Sequence, residues 1–146
     1  MARPRIRILA GVDFSPESRR ALRAARDLAR SCSGAITIAH VRPFSDVRAA
    51  VAEDRGDLLR RPPGHVGSGM AAHYSRRLER VCRRGERFLL LKGAPGPALC
   101  REARRGYDLL VLGNRGRGRV AAALLGSTVQ VALHRSQIPI LVVRRG

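Results

Sequence analysis

The stretch Leu109-Leu110-Val111-Leu112-Gly113-Asn114-Arg115-Gly116-Arg117-Gly118-Arg119 carries the most information in the chain. Its four consecutive aliphatics read as a strand buried on both faces, the pattern of a parallel sheet, and the run empties directly into a loop of glycine and arginine. Glycines let backbone N–H groups come close to a phosphate. Beyond the loop, Gly126-Ser127-Thr128 opens a helix whose first amides and dipole favour an anion. No acid follows Asp108, whereas Arg115, Arg117, Arg119, Arg135, Arg144 and Arg145 do, so an arriving phosphate meets no carboxylate in this part of the sequence.

Short apolar runs recur on either side of that strand. Arg5 to Val12 sets Ile6, Ile8, Ala10 and Val12 on one face, and Ala35 to Val41, Arg87 to Leu91, Tyr107 to Leu112 and Ile138 to Val143 complete five predicted strands. Helical patterns alternate with them. Ser15-Pro16-Glu17 reads as N-cap, N1 proline and first-turn acid, followed by Ala21, Leu22, Ala25, Leu28, Ala29 and Cys32 at helical spacing, with Gly34 as the stop. A second helix is expected from about Met70 to Arg84 before Gly85. A third starts near Gly96-Pro97, turns Leu99 and Ala103 inward and stops at Gly106, and the last lies between Ser127 and Arg135. Strands alternating with helices predict an α/β three-layer sandwich, a parallel sheet with helices on both faces. Residues 42–68 break the pattern. They hold Pro43, Pro62, Pro63, Gly56, Gly64 and Gly67 and four acids, Asp46, Glu53, Asp54 and Asp57, and read as a mobile excursion within a single domain spanning 1–146.

The length of 146 residues suits one core, and 45% hydrophobic residues exclude a disordered polyelectrolyte. The apolar run at the start reaches only Val12, too short for a signal peptide or anchor, so no membrane partner and a cytoplasmic location are expected. Cys32, Cys82 and Cys100 are isolated from one another and from any histidine at ligand spacing, which argues against structural zinc and a disulfide framework. The balance of 29 basic to 11 acidic residues, net +18, raises nucleic-acid binding. That reading is not favoured: the chain has no Trp, two Tyr and three Phe, and its arginines are spread from end to end.

Rival phosphate motifs fail on inspection. A P-loop needs its lysine after a glycine loop, but the sole lysine, Lys92, precedes Gly93. The dinucleotide-like Gly116-x-Gly118-x-x-Ala121 has no ribose-binding acid after it.

Gly113-x-x-Gly116, nine residues, then Gly126-Ser127 resembles the signature of the ATP-binding universal stress protein family. Ile8 to Ser15 with Asp13 at the strand exit, Gly93 to Leu112 with Tyr107-Asp108, and Ile138-Pro139-Ile140-Leu141-Val142-Val143 are similar to the family in register, so the resemblance spans nearly the whole chain. It implies a sheet in order 3-2-1-4-5 with ATP, carried with Mg2+ through its phosphates, at the carboxyl ends of strands 1 and 4. A strand-order switch opens a crevice there. By the same resemblance Gly11, Val12 and Asp13 would meet the adenosine, Val41 the adenine, Leu112, Gly113, Arg115 and Gly116 the ribose and phosphates, and Gly126, Ser127 and Thr128 the far phosphates. Each has a structural rival. Asp13 caps the turn or meets the ligand, Val41 is core or adenine wall, and Ser127 caps its helix, binds, or does both.

The function implied is a regulatory or signal-sensing module of the stress response that binds an adenine nucleotide and forms a homodimer through the last strand, with protein partners not specified. The alternatives are a slow ATP hydrolase in the same crevice, for which no general base or metal-binding carboxylate pair is visible, and a nucleotide-free member that binds polyanions or proteins.

Overall fold

The computed structural model describes residues 5–42, 69–114 and 125–144. One parallel sheet runs β3-β2-β1-β4-β5, with β1 at Arg7–Gly11, β2 at Ala35–Arg42, β3 at Arg87–Lys92, β4 at Leu109–Gly113 and β5 at Ile140–Val143. Helices α1 (Pro16–Ser31) and α2 (Gly69–Val81) cover one face; α3 (Pro95–Ala103) and α4 (Ser127–Arg135) cover the other. This is the expected three-layer architecture and strand order.

The two faces follow from strand alternation. Ile8, Ala10, Ile36 and Ile38 pack with Ala21, Leu22, Tyr74 and Leu78 beneath α1 and α2. Leu9, Ala39, Leu89 and Leu110 point the other way, against Leu99, Ala103, Val129 and Ala132. Burial of aliphatics on both sides is what makes the central strands continuous apolar runs. The ladder is in phase through Ile8↔Leu109, Leu9↔Leu110 and Ala10↔Val111, and a reciprocal pair locks its foot. The Arg7 amide donates to Asp108 Oδ2 at 2.7 Å, while the Asp108 amide donates to the Arg7 carbonyl at 2.8 Å.

Helix starts match the sequence and several stops do not. Ser15 caps α1, accepting from the Ser18 amide at 3.1 Å with Pro16 in the first turn. The left-handed residue after α1 is Ser33 (φ 52°), not Gly34. Gly34 is needed for space instead: a Cβ there would lie 3.0 Å from the Ile6 carbonyl oxygen. The second helix ends at Val81 rather than Arg84, because Glu86 accepts from the Arg83 amide at 2.8 Å and turns the chain early, with Gly85 at φ 88°. In the predicted excursion, Arg42 belongs to β2, pairs with Lys92 and is fully buried; the remainder of 42–68 lies outside the described residues.

The same Glu86 receives Arg26 in a two-pronged ion pair at 2.7 Å to each oxygen, and Arg26 also donates to the Val81 carbonyl at 2.7 Å. This clamp ties α1 to the end of α2, with only 12% and 10% of the two side chains exposed. Burial alone would push the Glu86 carboxyl up, but the Arg26 hydrogen bonds and the Arg83 amide hold it below its ordinary 4.5. Its stabilisation is therefore complete above pH 4.5 and is lost as pH falls through the lower folded value. Glu86→Ala, which strands a nearly buried guanidinium, is expected to lower unfolding stability by about 2–4 kcal/mol. Glu86→Gln should flatten the acid limb of the stability profile. Urea unfolding from neutral to acid pH reads both, and an unchanged acid limb in Glu86→Gln would count against the clamp.

Candidate functional site

The candidate site forms where β1 and β4 end. Gly11 closes β1 against β4: a Cβ on it would lie 2.7 Å from Leu112 Cδ2 and 3.0 Å from Leu99 Cδ1. Val12 continues beyond β1, its amide donating to the Ala39 carbonyl at 2.8 Å. Its own carbonyl oxygen lies 2.8 Å from His40 Nδ1, a bond that requires the proton on that nitrogen. Val41, one residue on, is buried with Leu91 and Leu112 in the layer beneath α3 and α4. Gly11 thus packs against Leu112, and Val41 shares the layer of Leu112, while Val12 turns to the α1 and α2 face.

Asp13 is half-buried at the strand exit. Its Oδ1 accepts from the Ser15 hydroxyl at 2.5 Å and the Ser15 amide at 3.0 Å, so the carboxylate holds the residue that caps α1. Burial works against its charge, yet the Ser15 and Ser18 hydrogen bonds outweigh it and keep the carboxyl below its ordinary 3.8. Near neutral pH Asp13 is an ionised acceptor. Such a group suits a hydroxyl or amine donor and repels a phosphate. Between Asp13 and Ser15, Phe14 takes a left-handed backbone, φ 65°, which a bulky residue adopts only when its surroundings compel it.

Gly113 ends β4 under the first turn of α1. A Cβ there would meet the Glu17 carbonyl carbon at 2.8 Å and the Ser18 nitrogen at 3.0 Å, backbone atoms that cannot swing aside. Packing alone therefore demands glycine at this position. Next, the Asn114 amide donates to Val143 and its carbonyl accepts from the Gly126 amide at 2.9 Å. That bond clasps the two ends of the glycine-arginine segment and brings Gly126, Ser127 and Thr128 to the tip of β4. Arg115 and Gly116, with the rest of 115–124, lie outside the described residues.

The capping role expected of Ser127 falls to Gly126. Ser127 is the first residue of α4 and exposed, and among the described residues no side chain accepts from the helix's first amides. Glycine at the cap has no side-chain oxygen to offer these N–H groups. Close by, Asn114 Oδ1 is buried without a hydrogen-bond partner among the described residues. The sequence reading did not single out Asn114, Phe14 or His40. Only the position of Asn114 inside the motif could have drawn attention to it.

Among the described residues no group of three or more His, Cys, Asp or Glu could hold a metal, and no helix is long and apolar enough to cross a membrane.

Comparison with known proteins bears on this geometry. The model of the universal stress protein family matches residues 5–144. A curated relative, the stress response protein NhaX of Bacillus subtilis (strain 168), is 27% identical over 161 residues, covering 94% of this chain and 97% of its own. Among solved structures, the universal stress protein UspA from Lactobacillus plantarum superposes with a TM-score of 0.64 at 20% identity, covering 97% of this chain and 100% of that one. A universal stress protein in complex with cAMP gives 0.56 at 22% identity, covering 94% and 95%. At such identities the structural likeness speaks for the fold.

Asp13→Ala is expected to cost about 1–2 kcal/mol, since two donors of the α1 cap lose their acceptor, whereas Asp13→Asn keeps an acceptor oxygen and should cost less than about 1 kcal/mol. Thermal and urea unfolding of the two variants distinguish the cap from a carboxylate kept for other reasons; equal losses would remove the capping account.

Proposed function

We propose that this chain, which belongs to the universal stress protein family, binds an adenine nucleotide as a regulatory module of the stress response, with ATP and its Mg2+ as the expected form. The observation that carries this reading is the root of the motif loop. A helix N-terminus at Ser127 and Thr128 with no side-chain cap stands beside Asn114 Oδ1, buried and without a partner among the described residues, in a part of the chain that holds no carboxylate after Asp108. Free amides and a helix dipole attract phosphates, and the orphan acceptor suits a hydroxyl such as a ribose supplies.

In this reading Gly11, Val12 and Asp13 meet the adenosine, the Asp13 carboxylate accepting from hydroxyl or amine donors. Val41 and Leu112 supply an apolar wall for the base. Gly113, Arg115 and Gly116 approach the ribose and first phosphates, and Gly126, Ser127 and Thr128 the distal ones. The residues fit a phosphate chain, and Mg2+ would be held through those phosphates, where it offsets their charge. Asp13 is committed to Ser15 and its charge is stabilised in place, which fits a binding site better than a general base for hydrolysis. The complex of a universal stress protein with cAMP supports a nucleotide of the adenine class. A cytoplasmic setting goes with that nucleotide pool.

The test is thermal unfolding with Mg-ATP, beside cAMP, GTP and NAD. At a hundredfold over Kd, one bound nucleotide adds about 2.7 kcal/mol, roughly a 5–10 °C rise for a chain of this size. A rise selective for adenine nucleotides supports the reading. No rise with any of the four would leave a family fold that works through other partners.

Homodimerisation belongs to the same proposal. β5 is the sheet edge next to β4, with Leu141 37% exposed and, on α4, Leu133 52% exposed. An unpaired apolar edge invites a second copy. Light scattering after size exclusion should give the dimer mass, and Leu141→Glu should shift it to monomer; a monomer in both would discard the edge pairing.

A further inference from the structure

On the sheet face opposite Val41 and Leu112, α1 and α2 leave an open cleft of about 230 Å3. Val12, Phe14, Leu22 and Val81 make an apolar floor, and Arg19, Arg77 and Arg80 stand round it. No carboxylate lines the cleft, and none of the three arginines has an ion pair among the described residues. Two of the guanidiniums are already placed. Arg77 lies with Cζ 4.0 Å over the Phe14 ring, and Arg19 Nη2 donates to the Phe14 carbonyl at 3.4 Å. Stacking and a weak bond to a neutral oxygen orient these groups without neutralising them.

We propose that this cleft binds a small amphipathic carboxylate, its aliphatic body on the floor and its head among the three guanidiniums. Size, polarity and charge each narrow the choice. A cavity of about 150 Å3 accepts benzene, so the volume here suits roughly ten heavy atoms, an eight-carbon acid rather than a long acyl chain. The lining carries no Asp, Glu, Asn or Gln with which to read a base edge, and its one hydroxyl, Ser18 Oγ, donates to the Ser15 carbonyl at 3.1 Å. A nucleobase would therefore find no side-chain amide or carboxylate to accept from its amino donors. A bare inorganic anion would leave the floor in water, and an uncharged alkyl compound would leave three cations without an anion. The site goes beyond the nucleotide reading and does not depend on it.

The probe is octanoate, titrated into the 15N-labelled full chain with amide shifts followed by NMR. Saturable shifts are expected at Val12, Phe14, Leu22 and Val81. Octan-1-ol and inorganic phosphate should each bind about tenfold more weakly or worse, since each satisfies only half of the cleft. The double variant R19Q/R80Q, confined to exposed positions, should weaken octanoate about tenfold while leaving the fold intact. Absence of saturable shifts, as when another part of the chain fills the cleft, overturns the proposal. So do equal binding of octan-1-ol, an unaltered affinity in R19Q/R80Q, or displacement of octanoate by Mg-ATP. A chain that takes octanoate but no ATP would keep this site and lose the nucleotide one; the reverse would do the opposite.

Discussion

The pairing of β1 with β4 is the constraint on which the remaining structure depends. Both strands are apolar on both faces, so neither is stable without a helical layer above and below. Their neighbours lie on opposite sides: β2 and β3 beyond β1, β5 beyond β4. The chain must then leave β1 and β4 in opposite directions, and the two exits cannot be covered by one connection. A crevice at their carboxyl ends is a consequence of topology. The Arg7 and Asp108 exchange at the foot of the ladder sets the register, and with it the height at which Gly11, Leu112 and Gly113 arrive at the crevice.

That constraint requires glycine at position 113. The first turn of α1 descends onto it so closely that a single methyl would strike the Glu17 backbone. The same close approach puts the cap of α1, the end of β4 and, through the Asn114 to Gly126 bond, the start of α4 within one compact group. The end of β4 is thereby held by the sheet and the helix together, because moving it would require moving α1.

The layers and the start of α1 were legible in the sequence because they rest on periodicity and capping, which are local, whereas the strand order followed only from the family resemblance. What was not legible depends on atoms distant in the chain. Gly34 looks like a helix stop, yet Ser33 takes the left-handed turn and Gly34 makes room for Ile6. Ser127 looks like a cap, yet the helix begins one residue early because the Gly126 amide is tied to Asn114. Arg84 sits in a good helical pattern, but Glu86, held by Arg26 from α1, turns the chain before it. Arg42 reads as the first residue of a loop and is instead buried at the end of β2. For the candidate site, spacing pointed to Gly113 and Gly126, and a place at a strand exit pointed to Asp13. The sequence leaves the engagement of Asp13 with Ser15 open, since an acid at a strand exit can face either a ligand or its own turn.

Phe14 joins the two faces of the molecule. A left-handed phenylalanine costs about 1–3 kcal/mol and persists only where neighbours over-determine it. Here they do. His40 lies with its centroid 4.7 Å from the Phe14 ring, Tyr74 stacks at 6.4 Å, Arg77 covers the ring at 4.0 Å, and Arg19 reaches its carbonyl. His40 also engages the Val12 carbonyl, so the residues on both sides of Asp13 are fixed from the α1 and α2 face. The orientation of Asp13 in the crevice is thus set by packing against the cleft behind it. Had Phe14 relaxed to an ordinary backbone, the Ser15 amide and hydroxyl would turn away from Oδ1, and both the cap of α1 and the placement of the carboxylate would be lost together. Strain at this one residue is the physical link between helix start, strand exit and candidate site.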